Sequence, residues 1–366
     1  MTLSLYVARK FLVAFFAVAG AFGAILMLLD LVEEVHRAAG SSVTFMQAAG
    51  LAALNTPDGL YRILPLVTIL ATLILFLGLA RTSELVVVRA TGRSGLRCLV
   101  PPVLTALAIG VIGVAVMNPF VAATSEAYKT LQNHYSNGGA ASVTSISREG
   151  LWLRQGGPEG QTVIRAEHAS SDGTQLRAAT FLTFDAQGRP VKRIEAGSAA
   201  LLAGQWQLND TKSWAFTDTA NPELAATTAA TLTLPSNLTQ AQIRDSFGDP
   251  GQVPIWQLPA FIDQMEKAGF SAREQRVWFQ MELALPVMLA AMVLIAAGFT
   301  MRHVRLGNTG MMVLLALLAG FAIFFLRNFA QVLGSNGQIP VVLAAWGPPV
   351  AGVLLSMGLL LHMEDG

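Results

Sequence analysis

Six long apolar runs constrain this chain more than anything else in it. They extend from about Phe11 to Val32, Leu60 to Ala80, Leu99 to Phe120, Leu283 to Met301, Thr309 to Leu333 and Val341 to Leu361. A helix rises 1.5 Å per residue, so about 20 apolar residues cross a bilayer core roughly 30 Å thick. Only 13% of the residues are charged and the mean hydropathy is +0.52; a soluble protein carries about 25% charge. The runs fall three and three around one polar stretch. The expected fold is therefore an α-helical membrane protein of six transmembrane helices (3+3) with an inserted extracytoplasmic domain. The boundaries are 1–120 for spans one to three, 121–270 for the insert and 271–366 for spans four to six. The first run is too long for a cleavable signal and no small-residue cleavage site follows it, so it reads as a span that stays. A net charge of +1 gives no sign of a nucleic-acid partner.

Lysines and arginines in the short loops set the orientation. Arg9 and Lys10 precede span one; Arg81, Arg89, Arg93 and Arg97 lie between spans two and three; Arg302 and Arg305 lie between spans four and five. All three places share one side, which the positive-inside rule makes the cytoplasm, with both termini. The insert then lies outside. Its pattern is β: Gly150–Arg154, Thr162–Ala166, Ala179–Phe184, Val191–Glu195, Ala203–Leu208, Lys212–Phe216 and Ala229–Leu234 are short runs of strand formers between turn residues. Such spacing predicts a small sandwich or jelly-roll-like domain of undetermined strand order. An amphipathic helix over Ile255–Gly269 follows. Ser271-Ala-Arg-Glu274 then reads as a capping box opening a helix that continues through Trp278 and Glu282 into span four.

The loop between spans two and three holds Arg81-Thr-Ser-Glu-Leu-Val-Val-Val-Arg-Ala-Thr-Gly92. Thr82 or Ser83 can cap a short helix over about 82–92, Glu84 suits its first turn, and Gly92 suits its end. Leu85, Val86, Val87 and Val88 make that helix apolar on nearly every side in a wet, basic setting. It either docks a soluble partner, lies in the headgroups or packs on its own bundle.

No phosphate-binding loop, zinc motif or Ser/His/Asp set occurs, so the chain is expected to be non-catalytic and to hold no cofactor or metal. Cys98 is the single cysteine and reads as packing. Asp30, Glu282 and Arg327 lie within spans near the outer face; each either snorkels to the interface or lines a cavity that meets a charged headgroup. Glu33, Glu34, His36 and Arg37 read as a solvated helix end, with His36 and Arg37 also able to contact phosphate. Gly20, Gly23, Gly110 and Gly113 read as sites of close packing.

Together, the architecture and Ser83-Glu-Leu-Val-Val-Val-Arg-Ala-Thr-Gly92 resemble the LptF/LptG permeases of the lipopolysaccharide export ABC transporter, with the G type closer. Arg148–Leu153, Leu258–Ile262 and Ile339-Pro340 support the likeness. The resemblance implies a heterodimer with an F-type permease, on a separate ATPase dimer that binds the ATP and Mg. It implies a jelly-roll insert that joins a membrane-anchored periplasmic jelly-roll partner, in the inner membrane of a Gram-negative bacterium. Lipopolysaccharide would enter from the outer leaflet between span one of one permease and span five of the other. Ser83, Glu84, Leu85, Val88 and Arg89 would then dock the ATPase, and His36, Arg37 and Arg327 would be candidates for the substrate headgroup. Related G-type permeases carry several lysines at the outer end of span one. His36 and Arg37 fall where two of them lie, and Asp30, where another would lie, is acidic. The competing reading is a membrane-anchored scaffold whose β domain binds envelope partners without transport.

Overall fold

The computed structural model describes residues 2–38, 43–82, 84, 95–137, 145–147, 150–157, 160–170, 174–185, 187–216, 223, 226–236, 238, 250–267, 271–301 and 309–364. The chain divides into two compact units. One comprises residues 1–132, 251–256 and 273–366; the other comprises 133–250 and 257–272.

The first unit is helical. Its helices are α1 (Thr2–Ala38), α2 (Phe45–Arg62), α3 (Leu64–Arg81), α4 (Gly95–Ile112), a π-helical turn (Gly113–Met117), α5 (Asn118–Asn137), α7 (Arg273–Thr300), α8 (Thr309–Ser335) and α9 (Val341–Glu364). Six described helices are long and apolar enough to cross a membrane: Leu3–Arg37, Leu64–Arg81, Arg97–Gln132, Arg273–Thr300, Gly310–Ser335 and Val341–His362. The six-span class holds, and the differences lie at the ends. Span two starts at Leu64 rather than Leu60, because Leu60 to Arg62 close α2. Pro65 sits at the second position of α3, where its missing N–H costs nothing, but its ring would clash with the carbonyl four residues back in a continuous helix. Helix α2 was not expected. It begins at a capping box in which Gln47 N–H donates to Thr44 Oγ1 at 3.4 Å and Thr44 N–H donates to Gln47 Oε1 at 2.7 Å.

Helix α7 is the axis of this unit. Small residues (Ala284, Ala290, Ala291, Ala296, Ala297) are buried along it together with Met288, Leu289, Met292 and Val293. Phe11, Phe76, Leu79 and Ala106 pack against its Leu289 and Val293. Ile69, Leu73, Ala316 and Ile323 pack against Met288 and Met292, and Ala344 and Ala345 against Val277 and Met281. The expected continuous helix through Trp278 and Glu282 into span four is present.

The second unit is one antiparallel sheet of seven strands in simple meander order: β1 (Ser145–Ser147), β2 (Gly150–Gly157), β3 (Gly160–Ala169), β4 (Gln175–Phe184), β5 (Pro190–Leu202), β6 (Gln205–Ala215) and β7 (Thr227–Pro235). A crease crosses it. Ala178 on β4 and Asp210 on β6 have φ of 49° and 52°, and Gly197 lies between them on β5. Each strand carries one unpaired residue there, so the inward parity changes: Ile164 and Ala166 but Ala169; Leu176 but Ala179 and Phe181; Ile194 and Ala196 but Ala199. The sheet curls round these side chains and Trp206. The curl brings β2 to the end of β7, where Gln155 Nε2 donates to the Pro235 carbonyl at 3.2 Å and Ser236 Oγ donates to Gln155 Oε1 at 2.9 Å. A short helix, α6 (Leu258–Lys267), places Met265 in the same core. It starts three residues later than the Ile255 start expected, because Ile255 belongs to the helical unit.

Candidate functional site

Glu84 lies just past the C-terminal end of span two, and its carboxylate is already occupied. Lys10 Nζ donates to Oε1 and Oε2 at 2.9 and 3.0 Å, Tyr6 Oη donates at 3.1 Å, and Thr82 Oγ1 donates at 2.9 Å. Lys10 also lies 4.6 Å from the centre of the Tyr6 ring. The Lys10 hydrogen bond, foremost, and then those of Thr82 and Tyr6 hold the Glu84 carboxyl below its ordinary value. The loop carboxylate is thus bound to α1, a helix distant in sequence. Apart from Glu84, the helix that Thr82 or Ser83 was expected to cap lies outside the described residues. Thr82 itself closes α3, its hydroxyl reaching back to the Gly78 carbonyl at 3.1 Å. Ser83, Leu85, Val88 and Arg89 lie outside the described residues.

At the other end of α1, Glu33, His36 and Arg37 are exposed, as expected of a solvated helix end, but Glu34 departs from it. Glu34 is only 6% exposed. It accepts from Tyr128 Oη at 2.7 Å and from Arg37 Nη1 at 3.0 Å, while Arg37 also meets Tyr128 Oη at 3.0 Å and pairs with Glu33. Tyr128 stands on α5, so the cluster ties span one to the continuation of span three. His36 is exposed beside it. Asp30 does not snorkel: its carboxylate accepts from Asn55 Nδ2 at 3.1 Å and Thr56 Oγ1 at 3.3 Å, both on α2.

Glu282 does not snorkel either. It is 2% exposed and accepts a hydrogen bond from the Tyr61 hydroxyl. The side chain of Asn118 is a second hydrogen-bond partner, and Arg327 on α8 is the nearby cation. Arg327 therefore faces a carboxylate within the bundle. A lone charge there would be costly, and the Tyr61 hydroxyl on α2 and the side chain of Asn118 on α5 join Glu282 on α7, with Arg327 on α8 as the neighbouring positive charge. Among the described residues, no group of three or more His, Cys, Asp or Glu side chains could hold a metal ion.

Apolar side chains are exposed on several helices of this unit, among them Leu104 and Val111 on α4 and Leu354 and Leu355 on α9. Val13, Phe16, Leu28 and Leu29 are exposed on α1, and Leu318, Phe325, Phe329 and Val332 on α8. Sequence reasoning had marked His36, Arg37 and Arg327 but missed Tyr128, Tyr61 and Asn118. The only signal for these was a polar group at the edge of a span.

The family model for "Lipopolysaccharide export system permease LptF/LptG" matches residues 5–362, which takes in both halves of the helical unit and the insert. The chain belongs to the LptF/LptG permease family. Among its relatives, a lipopolysaccharide export system permease protein LptG of Haemophilus influenzae is 22% identical over 369 residues, covering 100% of this chain and 99% of the relative. The LptG protein of Escherichia coli K12 is 21% identical over 339 residues, covering 92% and 91%. Within an LptF/LptG permease, the six apolar spans make this a multi-pass membrane protein, and a permease has no bond-breaking step for its residues to catalyse. At about 21–22% identity the fold and family carry over, whereas individual contact residues have to be argued from the geometry above.

Proposed function

We propose that this chain is the G-type permease of a lipopolysaccharide export ABC transporter, paired with an F-type permease on a dimer of a separate ATPase. It would take lipopolysaccharide from the outer leaflet of the inner membrane and pass it to a periplasmic jelly-roll bridge through its own curled sheet. The family match along the whole chain carries this reading, and the relatives named LptG favour the G position. The uncovered faces of α1 and α8 suit a second permease and an amphiphile that enters between them. Glu84 and its loop, with Ser83, Leu85, Val88 and Arg89, are the docking site for the ATPase. Since Lys10 and Tyr6 hold Glu84 from α1, docking would act on span one directly. Arg37, His36 and Arg327 are the candidate cations for phosphates on the headgroup. For Arg37 a phosphate would have to compete with the carboxylates of Glu33 and Glu34 already in place, and for Arg327 with the field of the neighbouring Glu282.

The deciding experiment is purification of the chain from its own membranes in mild detergent. A co-purifying ATPase and second six-span permease, loosened by Glu84→Ala, are expected. The chain arriving alone, or only with envelope partners, would refute the transporter assignment and favour the scaffold.

A further inference from the structure

Span three is a single helix with a wide turn in it. The π-turn Gly113–Met117 lies between α4 and α5, and the Asn118 backbone N–H reaches the Gly113 carbonyl. Such a turn contains about one residue more than an α-turn. Everything after it is therefore rotated by about 100° relative to an uninterrupted helix.

The half before the turn cannot absorb that rotation. Gly110 lies so close to α7 that a Cβ there would come within 2.4 Å of the Pro286 Cα. The half after it carries Asn118 toward Glu282 and Tyr128 toward Glu34 and Arg37. In an unbroken α-helix, Met117 and Ala127 would occupy those two places, and neither can make these hydrogen bonds.

A separate piece of chain grips the wide turn. Residues 251–256 belong to the helical unit, although residues of the sheet unit flank them in sequence on both sides. Trp256 Nε1 donates to the Ala115 carbonyl at 3.2 Å, inside the π-turn. The Ile255 backbone N–H donates to Asn118 Oδ1 at 2.9 Å, just after it. Trp256 is otherwise 69% exposed, so its ring is placed by this bond rather than by burial.

We infer that the strap Gly251–Trp256 holds span three in its π register, and that Asn118 and Trp256 are thereby positioning residues for the outer cluster of Glu34, Arg37 and Tyr128. With the strap detached, the turn would relax toward α, Tyr128 would leave the cluster, and Arg37 would keep only its own helix's carboxylates. The consequence for an anionic, phosphate-bearing amphiphile rests on the function proposed above; the register itself does not.

The test reads the register directly in the full-length chain in its own membranes, in a Cys98→Ser background. Glu34→Cys is combined with Tyr128→Cys or with Ala127→Cys, and disulfide formation under a mild oxidant is compared. These replacements remove the cluster's own contacts, so the preference reports the helix register alone. With the strap intact, the 34/128 pair should dominate. Trp256→Phe should move the ratio toward 34/127 by about fivefold, and Trp256→Phe with Asn118→Ala, which removes the Ile255 and Glu282 bonds of Asn118 as well, by about a hundredfold or more, the factors that one and three ordinary hydrogen bonds carry. An unchanged ratio in both variants would overturn the inference. So would an equal fall of both pairs at normal chain levels, which marks a strap that merely supports the fold. Neither result depends on an ATPase or a substrate, so the register and the transport reading fail separately.

Discussion

The contact at Gly110 predicts a large effect from a single methyl group. An alanine Cβ there would lie 2.4 Å from the Pro286 Cα, 2.9 Å from its Cβ and 3.0 Å from its N, two of the three being backbone atoms. Ordinary contact begins near 3.4 Å, so α4 and α7 must separate by about 1 Å. Neither side has a rotamer to give, and the separation loosens Ala106 and Leu99 against Leu285 and Leu289. Overpacking a core costs about 1–3 kcal/mol, and a backbone-to-backbone clash belongs at the top of that range, near 3 kcal/mol. Gly20→Ala is the control: no atom lies within 4 Å of a Cβ there, and a helical Gly→Ala change gains about 0.5–1 kcal/mol. The purified chain would be unfolded by SDS in mixed micelles and followed by tryptophan fluorescence. The Gly→Ala gain applies to both helical sites and cancels, so the two variants should differ by about 3 kcal/mol. A difference under about 1 kcal/mol would refute the claim that Gly110 sets the distance between these helices.

Glu282→Ala should cost about 3–5 kcal/mol, because it strands Tyr61, Asn118 and Arg327; Glu282→Gln, which keeps an acceptor, should cost less. Near-wild-type stability of both variants in the same SDS assay would restore the snorkelling view. Glu84 gives a pH signature. Its folded-state carboxyl is held below the ordinary 4.5, so its contribution is full above about pH 4.5 and is lost as pH falls through the lowered value. The pair is about one-third exposed on each side, so the contribution is under about 1 kcal/mol. The stability difference between wild type and Lys10→Met should be constant at neutral pH and vanish in acid; a difference that does not change with pH would exclude the ion pair as its source.

The helical unit was legible because length and hydropathy alone identify a span. The partners of its charges were not legible. Asp30 looked unpaired since Asn55 and Thr56 sit in a stretch with Pro57 and Asp58 that reads as a loop, whereas a capped helix presents both to α1. The insert's alternation looked partial for a physical reason. Strands that keep one face inward across the crease at Ala178, Gly197 and Asp210 must change parity there, and a strict period of two misses that. The four glycines read alike in the sequence, yet Gly110 touches backbone and Gly20 touches nothing.

The same asymmetry bears on how an anionic headgroup could be recognised. At the C-terminal end of α1, Arg37 is held by Glu33, Glu34 and Tyr128, and within the bundle Arg327 lies in the field of Glu282. Cations left bare would bind phosphate tightly and release it slowly. Cations already matched to carboxylates offer only the difference between two partners, which keeps affinity low and release fast. Asp30 fits this pattern as well, because Asn55 and Thr56 on α2 already satisfy its carboxylate. Under the proposed function, phosphate recognition at this cluster would depend on which partner holds the cation, and Tyr128, if the register of span three places it as inferred above, would be the partner that a movement can remove.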